Sequence, residues 1–338
     1  MSRSTVTPVE VLDWAIAQPW LALIFGAAVA IGITILRPSR PARADSDSSF
    51  ERRGRARYAP ESRTILWTAF AVVVIVIAEH FIRSYVVNMN GVISWWRFAT
   101  PLFVAGLGIA ALVAFISTTG SEHSERPVLG GPRRTWLSFV PSAATIGWSI
   151  VFLVLIATTI IAGLLSSADP QGRFVYLEIP IPNELDVDPL RIWFFGWAYG
   201  TPTLIALAML SVFTAMALHA NAVRPFLRPE TVVRESIERR QIATSTVQLT
   251  TAAMLLSLGD AWQFIASSGA STRLDVLGDG PTQTYDVVWR GAEIATALGR
   301  IAPLLEITAF TILFLAMRQL RTADATDSAA EDLTVATA

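Results

Sequence analysis

Residues 64–86 read TILWTAFAVVVIVIAEHFIRSYV, and this stretch decides the fold class. No charged side chain occurs from Thr64 to Ala78, and the first charges, Glu79 and Arg83, come near its end. A helix rises about 1.5 Å per residue, so about 20 such residues cross the roughly 30 Å hydrocarbon core of a bilayer. The stretch therefore predicts a transmembrane helix with one polar end.

Runs of the same kind recur along the chain, separated by charged or turn-rich segments. The predicted crossings are 20–36, 64–86, 98–117, 143–165, 192–218, 246–267 and 301–317. With 53% hydrophobic and only 16% charged residues, the composition is more apolar than a soluble domain of 338 residues needs. Strict polar–apolar alternation is absent from these runs, which argues against a transmembrane barrel. We therefore predict an all-α integral membrane protein, a bundle of about seven transmembrane helices within residues 20–317, preceded by a short external segment, 1–19.

The choice of basic residues narrows both the chemistry and the origin. The chain has no cysteine, which excludes disulfides and thiolate metal sites, and it has no lysine, which excludes Schiff-base chemistry such as retinal binding. All 26 basic residues are therefore arginine, a usage typical of a GC-rich genome. The sequence thus indicates a multi-pass protein in the plasma (inner) membrane of a bacterium.

Arginines are distributed unevenly between alternate loops, and this predicts the orientation. The loop after the first crossing, 37–63, holds the densest cluster, and the loops after the third and fifth crossings are also arginine-rich. Such loops stay in the cytoplasm during insertion. The N-terminus is then outside and the C-terminus cytoplasmic, with 37–63 and the acidic tail, 318–338, disordered by composition. A signal peptide cleaved near Ala44 is the alternative, which Glu10 and Asp13 oppose because they precede the apolar run.

The two long loops on the other side differ from polar filler because they contain β-rich segments. Residues 174–181 form one such segment, and two others flank the Gly-Asp-Gly-Pro turn at 278–281. We predict that the outer loops 166–191 and 268–300 build a small β-rich extracytoplasmic cap containing a hairpin and a third strand. On the cytoplasmic side, the charged segment 229–241 is predicted to be a short helix along the membrane surface.

Ionisable side chains inside membrane helices are costly to bury, so they are candidate functional residues. Glu79 and Arg83 lie one turn apart and can pair, whereas Asp260 and Glu306 have no local partner. We predict that such groups converge in an outward-facing polar pocket beneath the cap. Its candidate residues are Glu79, His80, Arg83, Asp260, Gln263 and Glu306, and its rim is Arg191, Arg290 and Arg300. The alternative is structural, with the first pair reaching the interface and the two acids bonding to neighbouring helices.

Catalytic and cofactor motifs are missing from the sequence. It contains no Gly-x-Ser-x-Gly, no His-Glu-x-x-His and no Walker loop. A metal site needs three or four ligands in register, but His80 is the only histidine inside a predicted crossing, so no metal, cofactor or catalytic residue is predicted. Most tryptophans lie near the ends of crossings, which is typical of an interfacial aromatic belt. The arginine-rich loops are too short and too close to the membrane to bind nucleic acid.

These features leave three classes of function open. A transporter or permease for a small solute or ion fits best, because polar groups occur in several crossings and near one side of the membrane. A membrane sensor or an accessory subunit of a larger complex is the alternative, with the lipid bilayer and a protein at the arginine-rich loops as partners. The third is an intramembrane enzyme acting on lipid or envelope substrates through groups such as Glu79, His80, Asp260 or Glu306.

Overall fold

The computed structural model describes residues 18–36, 57–87, 92–119, 135–180, 189–226, 229–269, 273–276, 283–286 and 290–335. Seven helices within these residues are long and apolar enough to cross a membrane. They are α1 (Pro19–Leu36), α2 (Ala59–Phe81), α3 (Thr100–Thr119), α4 (Ser142–Leu165), α5 (Trp197–Val223), α6 (Val232–Gly269) and α7 (Ala292–Val335). The prediction of a helical multi-pass membrane protein is confirmed at this level. The predicted external segment, 1–19, lies almost wholly outside the described residues.

Two helices extend into regions for which the sequence predicted disorder. α2 starts at Ala59, inside the predicted loop 37–63, because Pro60 suits the first helical turn, where its missing N–H is not needed. Residues 37–56 of that loop lie outside the described residues. α7 continues to Val335, into the predicted acidic tail. The helices are therefore longer than the apolar runs that identified them.

α6 corrects the prediction of a separate surface helix at 229–241. Only Pro229–Thr231 form a short 3-10 turn, and Val232 begins the 38-residue helix α6. Glu235 and Arg239 are buried there, so this part of the charged segment lies inside the protein. The sequence pattern was misleading because these charges find partners in the interior instead of facing water or lipid head groups.

α6 forms the centre of the bundle. Its most apolar window is 83% buried, against 17–44% for the other six helices. α2, α3, α4, α5 and α7 all pack against it, while α1 packs mainly against α7. Large apolar side chains such as Ile31, Leu153 and Ile205 remain exposed on the outside of the bundle. Such a surface is stable when it faces lipid.

Two small antiparallel sheets occupy the connections between α4 and α5 and between α6 and α7. β1 (Ser167–Ala168), β2 (Phe174–Ile179) and β3 (Leu190–Trp193) form one sheet in that order. β4 (Arg273–Val276) and β5 (Gln283–Asp286) form a separate hairpin. The predicted strands are therefore present, and β2 pairs with β1 and β3 instead of with the hairpin. The end of the bundle that carries the first sheet is called the sheet end below, and the other is called the opposite end.

The first sheet is fixed to the bundle by apolar contacts and a hydrogen bond. Val175, Leu177 and Ile179 are buried in a cluster with aromatic side chains around the start of α5. The Ser268 hydroxyl, near the end of α6, donates to the Trp193 carbonyl. The sheet is therefore held directly beside the ends of α5 and α6.

Candidate ligand-binding site

Five of the six predicted pocket residues lie around one cavity at the sheet end of the bundle. This cavity, called the polar pocket, is lined by Pro19, Val76, Glu79, His80, Arg83, Arg97, Thr100, Pro101, Leu256, Ser257, Asp260, Glu306 and Phe310. The space open to the centre of a water molecule is about 30 Å³, which holds about two waters. The pocket is therefore a small polar void between α1, α2, α3, α6 and α7.

Arg97 is a pocket residue that the sequence-based set lacked. It lies in the turn before α3, where its Nε donates to Asp260 Oδ2 at 2.7 Å and its Nη2 donates to Asp260 Oδ1. The guanidinium carbon also lies 4.8 Å from the ring centroid of Phe98 and 5.3 Å from that of Phe264. Arginine, with its planar fork, makes this combination of two-point pairing and aromatic contact. Asp260 is thus compensated by a residue distant in sequence.

α2 contributes the ion pair that the sequence predicted and a histidine beside it. Arg83 Nε lies 3.7 Å from Glu79 Oε1, a long pair between partly exposed side chains. With respect to the described residues, the Arg83 guanidinium makes no hydrogen bond, and His80 Nε2 is buried without a hydrogen-bond partner. Arg83 stands in a π-helical turn, Ile82–Val86, which continues α2, and such turns are frequent at functional sites. These side chains therefore keep unused hydrogen-bonding capacity.

Glu306 is the buried acid of the pocket. The residue is 8% exposed, and its carboxyl makes no hydrogen bond or ion pair within the part of the chain that the structure describes. Gly259 of α6 makes room for it, since a Cβ at that position would lie 2.8 Å from Glu306 Cγ. An unpaired carboxyl inside a membrane bundle is costly. Glu306 is therefore the strongest candidate for contact with a ligand.

The remaining predicted residues do not line the cavity. Gln263 is half-buried on α6 and is not among the residues that line the polar pocket. Arg191 belongs to β3, where its Nε lies 2.9 Å from Glu178 Oε1 on the neighbouring strand. Arg290 and Arg300 are exposed, before and within α7. The residues predicted as the rim therefore do not line this cavity.

A second polar cluster, which sequence reasoning missed, lies at the opposite end of the bundle. This buried ion-pair cluster includes Tyr58, Glu61, Arg224, Glu235 and Arg239. Arg224 Nη1 lies 2.5 Å from Glu61 Oε1, and the two side chains are 1% and 0% exposed. The guanidinium of Arg239 donates to the backbone carbonyls of residues 224 and 225 at 2.6 and 3.0 Å. The cluster therefore ties together the starts of α2 and α6 and the end of α5.

Tyr58 connects the acidic and basic members of this cluster. Its hydroxyl donates to Glu235 Oε2 at 3.2 Å and accepts a hydrogen bond from Arg239 Nε at 3.1 Å. Burial raises the pKa of Tyr58, so the phenol keeps its proton and both bonds at neutral pH. One signal for the cluster was present in the sequence, because Glu235 and Arg239 stand four residues apart, as in a helical ion pair.

Possible metal ligands and the comparisons with known proteins were both considered for this site. Among the described residues, no group of three His, Asp or Glu side chains is arranged to hold a metal ion. Comparison with family models, with curated proteins and with solved structures finds no match to the chain. The fold and the cavity therefore define a multi-pass helical membrane protein with a small polar pocket near one end of its bundle.

Proposed function

We propose that this protein is a transporter or permease for a small cation or a small amine-bearing solute, which binds in the polar pocket. The observation that carries the proposal is Glu306, whose buried carboxyl has no partner among the described residues and faces a void for about two waters. A carboxylate in a low-dielectric surrounding is stabilised by a cation or a hydrogen-bond donor. A bound cation would supply that partner.

The charges of the pocket favour a cation over an anion. Its lining includes three acidic side chains and two arginines. Arg97 is paired with Asp260 and Arg83 with Glu79, which leaves Glu306 as the acid without a basic partner among the described residues. A calcium ion takes about six to eight oxygen ligands, more than one free carboxyl and about two waters supply. A monovalent cation or a primary ammonium is the better fit.

The two ends of the bundle support a carrier that opens at one end at a time. The polar pocket lies at the sheet end, while the buried ion-pair cluster holds α2, α5 and α6 together at the opposite end. Alternating access needs a binding site open toward one side and a closed contact toward the other. In the proposed orientation, the sheet end faces the outside of a bacterial plasma membrane and the arginine-rich loops face the cytoplasm.

Cation flux into proteoliposomes tests the proposal. Purified protein is assayed with radiolabelled methylammonium, with sodium and with a trapped pH dye for protons. We expect the wild type to conduct at least one of these cations and Glu306→Gln to lose flux by about tenfold or more. Glu293→Gln is the matched control, because Glu293 is an exposed acid on the same helix, and its flux should equal that of the wild type. Absence of any cation flux in wild-type vesicles would overturn the proposal.

A membrane sensor or accessory subunit is the second candidate, and the apolar floor of the pocket favours it. Val76, Leu256 and Phe310 are apolar residues in the lining of the cavity. Leu256 and Phe310 also belong to the hydrophobic core of the bundle. A sensor would bind the cation without moving it and would act on a partner at the arginine-rich loops. Calorimetric binding of methylammonium that depends on Glu306, without flux, would select this candidate.

A further inference from the structure

An apolar crevice lies directly beside the polar pocket. It is lined mainly by Ile75, Ala78, Ile82 and Trp96, and it shares Glu79 and Arg83 with the pocket. The space open to the centre of a water-sized molecule is about 480 Å³, within the roughly 300–1,000 Å³ typical of small-ligand sites. Ile75 and Ala78 are exposed on α2, Ile82 is exposed in the π-helical turn that continues it, and Trp96 is exposed in the turn before α3. The crevice therefore opens to the bilayer, and an acyl chain matches its chemistry.

Arg83 stands where the crevice meets the polar pocket. With respect to the described residues its guanidinium makes no hydrogen bond, and its ion pair with Glu79 is long, at 3.7 Å. A guanidinium binds phosphate oxygens through two parallel hydrogen bonds. Basic side chains near a membrane interface recognise lipid head groups in this way. A lipid whose chain fills the crevice would bring its phosphodiester to Arg83.

The charge and the size of the polar pocket select the rest of the head group. The described lining residues include three acids and two arginines, so they offer no excess of positive charge to a head group with a net negative charge. The unpaired carboxyl of Glu306 needs a cationic or hydrogen-bond-donating partner. A void for about two waters suits a primary ammonium, which is about as large as a water, better than the bulkier trimethylammonium group of choline. The best-fitting head group therefore combines a phosphodiester with a primary ammonium.

We propose that this protein binds phosphatidylethanolamine at the junction of crevice and pocket. The acyl chain lies in the apolar crevice, the phosphodiester binds Arg83, and the ammonium binds Glu306. This inference rests on the proposed function, because it takes from it the binding of a cationic group at Glu306. It deepens that function by naming a membrane lipid as the molecule that carries the cationic group. It does not require that a free cation crosses the membrane.

Native mass spectrometry of the purified protein with added lipids tests the inference. Phosphatidylethanolamine, phosphatidylcholine and phosphatidylglycerol with identical chains are offered at equal concentrations. The wild type should retain phosphatidylethanolamine about tenfold better than either competitor. Arg83→Gln and Glu306→Gln should each abolish this preference, whereas Arg300→Gln, at an exposed arginine on α7, should leave it intact. Equal retention of the three lipids by the wild type, or an unchanged preference in both variants, would overturn the inference.

Further arms separate the lipid from its soluble head group. Ala78→Phe fills the crevice without changing charge and should lower retention of phosphatidylethanolamine several-fold. Soluble O-phosphoethanolamine should bind weakly to the wild type and equally weakly to Ala78→Phe. If O-phosphoethanolamine bound as tightly as the lipid, the ligand would be a soluble solute and the inference would fail. Arg83→Lys keeps the positive charge and should restore part of the lipid preference, which distinguishes lost recognition from misfolding.

The lipid and transport experiments distinguish failure of the lipid site from failure of the transport proposal. Retained preference for phosphatidylethanolamine without any cation flux contradicts the transport proposal and supports the lipid site. Cation flux that depends on Glu306 without any lipid preference contradicts the lipid site and supports transport.

Discussion

Arg97 and Asp260 form a two-point ion pair across 163 positions of sequence, and this pair joins the turn before α3 to the central helix α6. The neighbouring Ser257 adds a second link, because its hydroxyl donates to the Phe98 carbonyl at 2.7 Å. Both links lie beside the polar pocket. They join α6 to the start of α3 at the polar pocket, whose lining also includes Glu306.

A double-mutant cycle on this pair should show strong coupling. Arg97→Met and Asp260→Asn each leave a charge without its partner. The double variant should therefore lose less stability than the sum of the losses of the two single variants. We expect a coupling free energy of about 0.5–3 kcal/mol, as is typical of contacting charged residues. Thermal unfolding of the four proteins in detergent measures it. Additive effects would show that the pair is not an energetic unit.

Substitutions in the buried ion-pair cluster should strongly lower the stability of the protein. Glu61→Gln or Arg224→Met strands a charge that is at most 1% exposed, and breaking such a pair costs about 3–5 kcal/mol. Arg321→Gln is the control, because Arg321 is exposed on α7 and its replacement should change stability by less than about 0.5 kcal/mol. Unfolding in detergent compares the three variants with the wild type. Equal stability of all four proteins would show that the cluster does not stabilise the opposite end of the bundle.

Gly259→Ala should affect the pocket through Glu306. The new Cβ would lie 2.8 Å from Glu306 Cγ and 3.3 Å from the Ala302 carbonyl oxygen, so the acid must shift. Overpacking of this kind costs about 1–3 kcal/mol, and we expect cation flux to fall in parallel with it. Gly147→Ala is the matched control, because no atom lies within 4 Å of a Cβ built there. If flux is equal in the two variants, the position of Glu306 does not matter for transport.

The absence of cysteine from the chain allows the orientation to be tested without background. Gln171, in the turn between β1 and β2, and Arg321, near the opposite end of the bundle, are both exposed and are suitable positions for single cysteines. In intact cells, a membrane-impermeant maleimide should label Gln171→Cys and spare Arg321→Cys. Labelling of Arg321→Cys alone would reverse the proposed topology, and with it the side from which the polar pocket is reached.

Buried charged residues near helix ends could not be assigned partners from the sequence. The charges at Glu235 and Arg239 read as a surface segment, because a sequence pattern reports the polarity of a side chain but not its partner. The same limit applies to Arg97, which stands at the same predicted membrane boundary as Glu79 and Arg83. Its position in the sequence did not distinguish it from the other arginines near that boundary, although it is the residue that pairs with Asp260.

The sequence by itself determined that this chain crosses a membrane as helices, and it excluded chemistry that needs cysteine or lysine. Both conclusions depend on local composition, since the thickness of the hydrocarbon core sets the length of each apolar run. Only the tertiary structure decided that Arg97 pairs with Asp260 and that Glu306 has no partner within the described residues. These relationships arise from helix packing, which depends on contacts spread over whole helix faces, such as Gly259 against Glu306.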